Sequence, residues 1–123
     1  MPHTSTTILI TEDNPLNLCL FSDTLSHFGA TVLTAPTAEE ALKILSHPPH
    51  KIDILITDIL LPHHSGLWLI KQLAHIPHLK ELKIILISAI DKETFQTKNH
   101  QLPPYTYLKK PVDIQELIRL TFS

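Results

Sequence analysis

The chain has 123 residues, of which 43% are hydrophobic and 18% charged, and a formal net charge of −2. That length sets the expectation of a single domain over 1–123, its core about 7–121, with material for one core and not two. The charge balance leaves no basic footprint for nucleic acid, no apolar run approaches a membrane span, and the lone Cys19 excludes an internal disulfide.

Apolar runs and helical patterns alternate five times along the chain. The first strand is expected at Thr7–Thr11. Asn14 then caps a helix that opens on Pro15, with Leu18, Phe21, Leu25 and Phe28 as its buried stripe and Gly29 as its stop. Thr31–Thr34 is a short second strand. Thr37-Ala38-Glu39-Glu40 reads as a capping box for a helix with Ala38, Ala41, Leu42 and Leu45 inward, stopped by Pro48-Pro49. Ile52–Thr57 forms a third, fully buried strand, and Gly66 precedes a helix with Leu67, Ile70 and Leu73 on one face. The fourth strand is Leu82–Ser88. The segment from Asp91 to Gln101 carries Phe95 as its one hydrophobic residue, so the fourth helix is expected to be short, irregular or mobile. Thr106–Lys109 is the fifth strand, and Asp113 caps a short last helix.

Five strands and five helices joined by right-handed crossovers make a doubly wound α/β fold with a five-stranded parallel sheet. Of the common strand orders, 2-1-3-4-5 suits this length and sets the first and third strands side by side. Glu12 and Asp13 follow the first strand and Asp58 follows the third. All three carboxylates therefore converge beyond the carboxyl ends of the strands, where such folds bind ligands. Two charges about 4 Å apart repel by roughly 4 kcal/mol at an effective dielectric of 20. A hard cation such as Mg²⁺ is the simplest reason to gather three. Ser88 and Lys110 end the fourth and fifth strands at the same edge, offering a hydroxyl and an ammonium. Lys109 and Lys110 point to opposite faces, so only one of them can turn to the site. Three acids, a hydroxyl and a lysine suit phosphoryl transfer to a carboxylate.

The set Glu12-Asp13, Asp58, Pro62, Gly66, Ser88-Ala89, Tyr107 and Lys110-Pro111 resembles the receiver domain of two-component response regulators, with its CheY-like, flavodoxin-like sheet. The likeness runs from Ile8 to Leu120. It implies that Asp58 accepts a phosphoryl group from the phosphohistidine of a histidine kinase or a histidine phosphotransfer protein. It implies that Asp13, Asp58 and the backbone carbonyl of Leu60 bind Mg²⁺, with Glu12 acting through a water. Lys110 would contact Asp58 before transfer and the phosphoryl oxygens after it, and Ser88 and Tyr107 would form a paired switch. It further implies a cis Lys110-Pro111 bond, kinase docking on the first helix, a downstream protein target, and a monomer or weak dimer that is not an enzyme in its own right. The lone Cys19 and the lack of an export-type start set the separate expectation of a cytoplasmic protein.

Other readings are weaker at the same residues. A haloacid-dehalogenase-like phosphatase would need a second Asp where Leu60 stands, and a flavodoxin-like cofactor site would meet repulsion at Glu12-Asp13-Asn14. A degenerate receiver that binds partners without phosphorylation would usually have lost an acid or the lysine. The nine histidines make no i, i+4 pair for a helix zinc site. Only His63 and His64 lie near the chemistry, where they read as solvated loop residues whose protonation would add positive charge near a phosphorylated Asp58. Two departures stand out: Ser65 takes the place of the acid that often precedes the glycine, and the polar fourth helix makes dimerisation through that face doubtful.

Overall fold

The computed structural model describes residues 6–48, 51–98 and 102–123. Its sheet has five parallel strands, β1 (Thr7–Thr11), β2 (Thr31–Ala35), β3 (Ile54–Asp58), β4 (Lys83–Ser88) and β5 (Thr106–Lys109), in the order β2-β1-β3-β4-β5. Between them run α1 (Pro15–His27), α2 (Ala38–Ser46), α3 (Gly66–Leu73) and α4 (Lys92–Lys98), with α5 (Ile114–Thr121) last. A short 3₁₀ turn at Pro77–Leu79, not foreseen from the sequence, leads into β4.

The helices cover both faces, so the central strands β1, β3 and β4 are buried on two sides while the edge strands β2 and β5 stay partly exposed. The pleat sorts the buried residues into two cores. Leu9, Leu55 and Leu86 pack on one side with α2 and α3, against Ala41, Leu45, Leu69 and Ile70. Ile8, Ile10, Ile56, Ile85 and Ile87 pack on the other with α1 and α5, against Phe21, Leu25 and Leu117. Among the described residues no helix is long and apolar enough to cross a membrane.

The helix starts follow the sequence chemistry. Asn14 accepts from the N–H groups of Leu16 and Asn17, Thr37 from Glu40, Ser65 from Trp68, and Asp113 from Gln115 and Glu116. Gly29 has φ 94°, the left-handed turn that lets the chain leave α1.

Three expectations need correction. On α1 only Phe21 and Leu25 are buried; Leu18 is half-buried, and Phe28 is exposed beside Phe122, ring centroids 6.0 Å apart. The inward face of α3 is Leu69, Ile70 and Leu73, with Gly66 buried inside the helix and Leu67 only partly covered. Strand β3 starts at Ile54 because Asp53 turns its carboxylate to the N–H of Thr7, 2.8 Å away, and so closes the lower end of the β1–β3 pair. The stop at Pro49 and the end of the fourth segment at Gln101 lie outside the described residues, as do His3, His50 and His100.

The described part of α4 covers seven residues, and among them Phe95 is the one buried side chain, 2% exposed. That ring sits 5.7 Å from Tyr105 and 5.3 Å from Tyr107. Phe95→Ala should lower unfolding stability by about 3 kcal/mol, as large aromatic truncations in cores do. In urea titrations followed by amide exchange, the loss should come with faster exchange in α4 than elsewhere.

Candidate functional site

The order of the sheet carries the site. Strands β1 and β3 are direct neighbours, with Thr11 in register with Thr57. The residues just beyond Thr11 therefore face Asp58, the last residue of β3. Ligand oxygens of Glu12, Asp13 and Asp58 all lie within 4.8 Å of one another. Asp58 is 3% exposed and Glu12 2%, while Asp13 is open to solvent. An all-oxygen set of this kind, part buried and part open, fits a hard divalent cation that keeps some of its water. Among the described residues it is the one group of three such side chains close enough to hold an ion.

Lys110, just past β5, lays its Nζ 2.5 Å from Asp58 Oδ2. Burial works against the ammonium charge, but the hydrogen bond to Asp58 and the charges of Asp58, Glu12 and Asp13 outweigh it. The net effect holds Lys110 above the ordinary lysine range. Lys109, its neighbour, points to the other face and pairs with Asp91. The Lys110-Pro111 bond is cis, and the Lys110 N–H donates to the Ser88 carbonyl at 2.8 Å.

The other oxygen of Asp58 accepts the N–H of Leu60 at 3.2 Å, which turns the chain sharply after the strand. Gly66 then closes that loop, its N–H on the Ile59 carbonyl at 2.8 Å. The approach is so close that a Cβ at Gly66 would stand 2.1 Å from the Asp58 carbonyl oxygen and 2.9 Å from Thr57 Oγ1. Ser88 is buried, and its Oγ accepts the Ile90 N–H at 3.0 Å. Tyr107 donates its hydroxyl to the Ile90 carbonyl from outside. Ser88 and Tyr107 thus hold one residue, Ile90, by its two backbone groups.

Burial, with a further push from Asp58, raises Glu12 above the ordinary carboxylate range, and the N–H of Asn14 (3.2 Å) pulls partly the other way. Asn17 Nδ2 also reaches Glu12, at 3.5 Å. Neither Asn17 nor Thr57 was expected at the site. Asn17 had a legible signal, one helical turn after the cap and facing back to the acid. Thr57 had none, since its role depends on where Gly66 comes to rest. His63 and His64 stay in the loop after Asp58 and both are exposed, as expected, with His64 also stacking on Trp68 of α3 and facing Glu39 of α2.

With this geometry in hand, comparison with known proteins is decisive. Residues 8–121 match the response regulator receiver domain. The chain belongs to that family. A 14.6 kDa protein of Leptolyngbya boryana is 34% identical over 92% of this receiver and 85% of its own length. The polar-differentiation response regulator DivK of Brucella anthropi is 29% identical over 90% of the receiver and 89% of its own chain. A probable cyclic di-GMP phosphodiesterase of Vibrio cholerae is 32% identical, and the receiver spans only 24% of that relative. Among solved structures, the receiver domain of the hybrid histidine kinase CckA superposes with TM-score 0.76 and 29% identity, covering 94% of this chain and 95% of that one. The chemotaxis regulator CheY4 of Vibrio cholerae, at 20% identity and 0.86 over 95% and 96% of the two chains, shows the same fold.

The crowding of acids makes a test available in the absence of divalent ions. Asp13→Asn and Glu12→Gln should each raise the unfolding free energy from urea titration at pH 7 in EDTA, by up to about 1 kcal/mol for a charge contact whose Asp13 side is open to solvent. The folded state holds a proton on Glu12 more tightly than the unfolded state does, so charging it costs folding free energy. The gain from Glu12→Gln should therefore be full at neutral pH and shrink to nothing as the pH falls below the unfolded value of 4.5.

Proposed function

We propose that this receiver accepts a phosphoryl group on Asp58 from a partner's phosphohistidine, in a Mg²⁺-dependent step, and switches partner binding as a result. The observation that carries this reading is the buried Asp58 carboxylate held by Lys110 between two further acids. Receiver domains as a family are signalling modules, and the phosphodiesterase relative is a longer protein in which the receiver is one part.

In the proposed transfer an Asp58 oxygen forms the new P–O bond as the P–N bond to the partner's imidazole breaks. The bonding pair leaves with that imidazole. Glu12, Asp13, Asp58 and the Leu60 carbonyl would hold Mg²⁺, whose charge neutralises the acids and the phosphoryl oxygens. Lys110 already touches the acceptor oxygen, so its ammonium meets the arriving charge without a search. Ser88 gives up the Ile90 N–H to turn its hydroxyl to the phosphoryl group. Tyr107, bound to the same residue, registers the change.

The partner surface fits an apolar helical face. Leu16 is 81% exposed and Leu20 lies one turn on, beside a groove lined by Phe21, Pro111 and Val112 next to Lys110. A histidine kinase or phosphotransfer protein docking there would bring its imidazole to Asp58. The cytoplasm, a monomeric or weakly dimeric state and one receiver domain over 1–123 complete the reading.

Incubation with acetyl phosphate and Mg²⁺ should add one phosphoryl mass to the wild type. Asp58→Ala, or EDTA, should abolish the gain. No gain in the wild type would overturn the reading in favour of a module that binds without phosphorylation. The phosphoryl group should also be long-lived. Leu60, 66% exposed, and Ile90 offer no side-chain hydrogen bond to an attacking water. A Leu60→Asn, Ile90→Glu variant should lose phosphate several-fold faster, and equal decay in a phosphate-release assay would refute the assignment.

A further inference from the structure

Glu39, on the first turn of α2, has an Oε1 that is buried with no hydrogen-bond partner. A buried carboxylate oxygen left unsatisfied is costly and calls for a cause. The nearest basic group is His64 Nδ1, 3.5 Å from that oxygen. The His64 ring lies on Trp68 of α3, centroids 4.0 Å apart and planes 23° apart. The residue before it, His63, sits at φ 66°, a left-handed conformation that a non-glycine side chain adopts only when its surroundings hold it there. Three independent features meet in the loop between Asp58 and α3: an unsatisfied acceptor, a stacked imidazole beside it, and a strained backbone.

We propose that His64 is a positioning residue whose protonated ring bridges Glu39 and Trp68 and so fixes the β3–α3 loop against α2. An imidazolium at Nδ1 supplies the charged donor that Glu39 Oε1 lacks, and its cation rests on an indole face, the best aromatic surface for one. Glu39 is the acid facing the ring from α2; α3 meets it with the uncharged Trp68; no other ion pair to His64 occurs among the described residues. The bridge needs a proton on the ring nitrogen that faces Glu39 and a second on the other, so it is proton-dependent. Its consequence for phosphoryl transfer rests on the receiver reading, because the same loop carries Leu60 and its N–H on Asp58. The bridge itself does not.

Two readouts separate the parts. In urea titrations, the gap in midpoint between wild type and Glu39→Gln should be larger at pH 6 than at pH 8. Glu39 also favours the start of α2 by its charge alone, so a constant gap is expected in a His64→Phe background, but its pH dependence should vanish there. A gap equal at both pH values in the wild-type background, or a pH-dependent one that persists in His64→Phe, would overturn the bridge. Initial rates of Mg²⁺-dependent phosphorylation by phosphoramidate supply the second readout. The ratio of rates at pH 6 and pH 8 should differ about two- to five-fold between wild type and Glu39→Gln, the range of measured surface ion pairs. His64→Phe should match Glu39→Gln. Identical ratios in all three would deny His64 a positioning role. Absence of phosphorylation in the wild type would sink the receiver reading while leaving the urea test of the bridge in force.

Discussion

A carboxylate that is 3% exposed is stable in its charged form only if something answers it, and in this fold that something is Lys110. Asp58 is the buried member of the pair and Lys110 reaches it from partly solvated ground, so loss of the lysine would leave a buried carboxylate without its ion-pair partner. The rest of the site is arranged around that pair. Strand β3 ends on Asp58. The Lys110 N–H is pinned to Ser88 at the end of β4, between the two. The acids of the β1 loop crowd Asp58 from the other side. The contacts that settle Asp58 therefore also assemble a hydroxyl, an ammonium and an oxygen-rich hollow.

Most of this could be read along the chain because each element depends on local chemistry. Continuous isoleucine runs mark strands buried on two faces, and Asn14, Thr37 and Asp113 mark helix starts, while the cap at Ser65 emerged only from the structure. The strand order followed from length and handedness, and with it the meeting of Glu12, Asp13 and Asp58. What escaped was set by packing. Phe28 looked like the next member of a helical stripe, but α1 stops at His27 and the ring falls beyond the face that α1 turns to the sheet. Leu69 displaced Leu67 on α3 because the helix starts with Gly66 pressed on Asp58, which rotates the inward face. Asp53 looked like a member of a buried strand and is instead a clasp for the Thr7 N–H. The Glu39–His64 contact joins residues twenty-five positions apart through a loop, and no periodicity reports it.

On the side of the molecule formed by α4 and β5, the described residues share a small core, which Phe95 fills against Tyr105 and Tyr107. Around the same turn, Ile90 is held by Ser88 and Tyr107, and Asp91 by Lys109. Among the described residues these contacts gather on one turn, whereas the β1–β3 end is tied by the sheet itself.

The space at Gly66 has a consequence for heredity. Every missense change in a glycine codon adds at least a Cβ, and here that atom falls 2.1 Å from backbone, which cannot swing aside like a side chain. The neighbouring cap, Ser65, has three chemical equivalents in Thr, Asp and Asn. Lineages can thus drift freely at one codon while the next stays frozen, and the boundary between them is drawn by a single carbonyl oxygen.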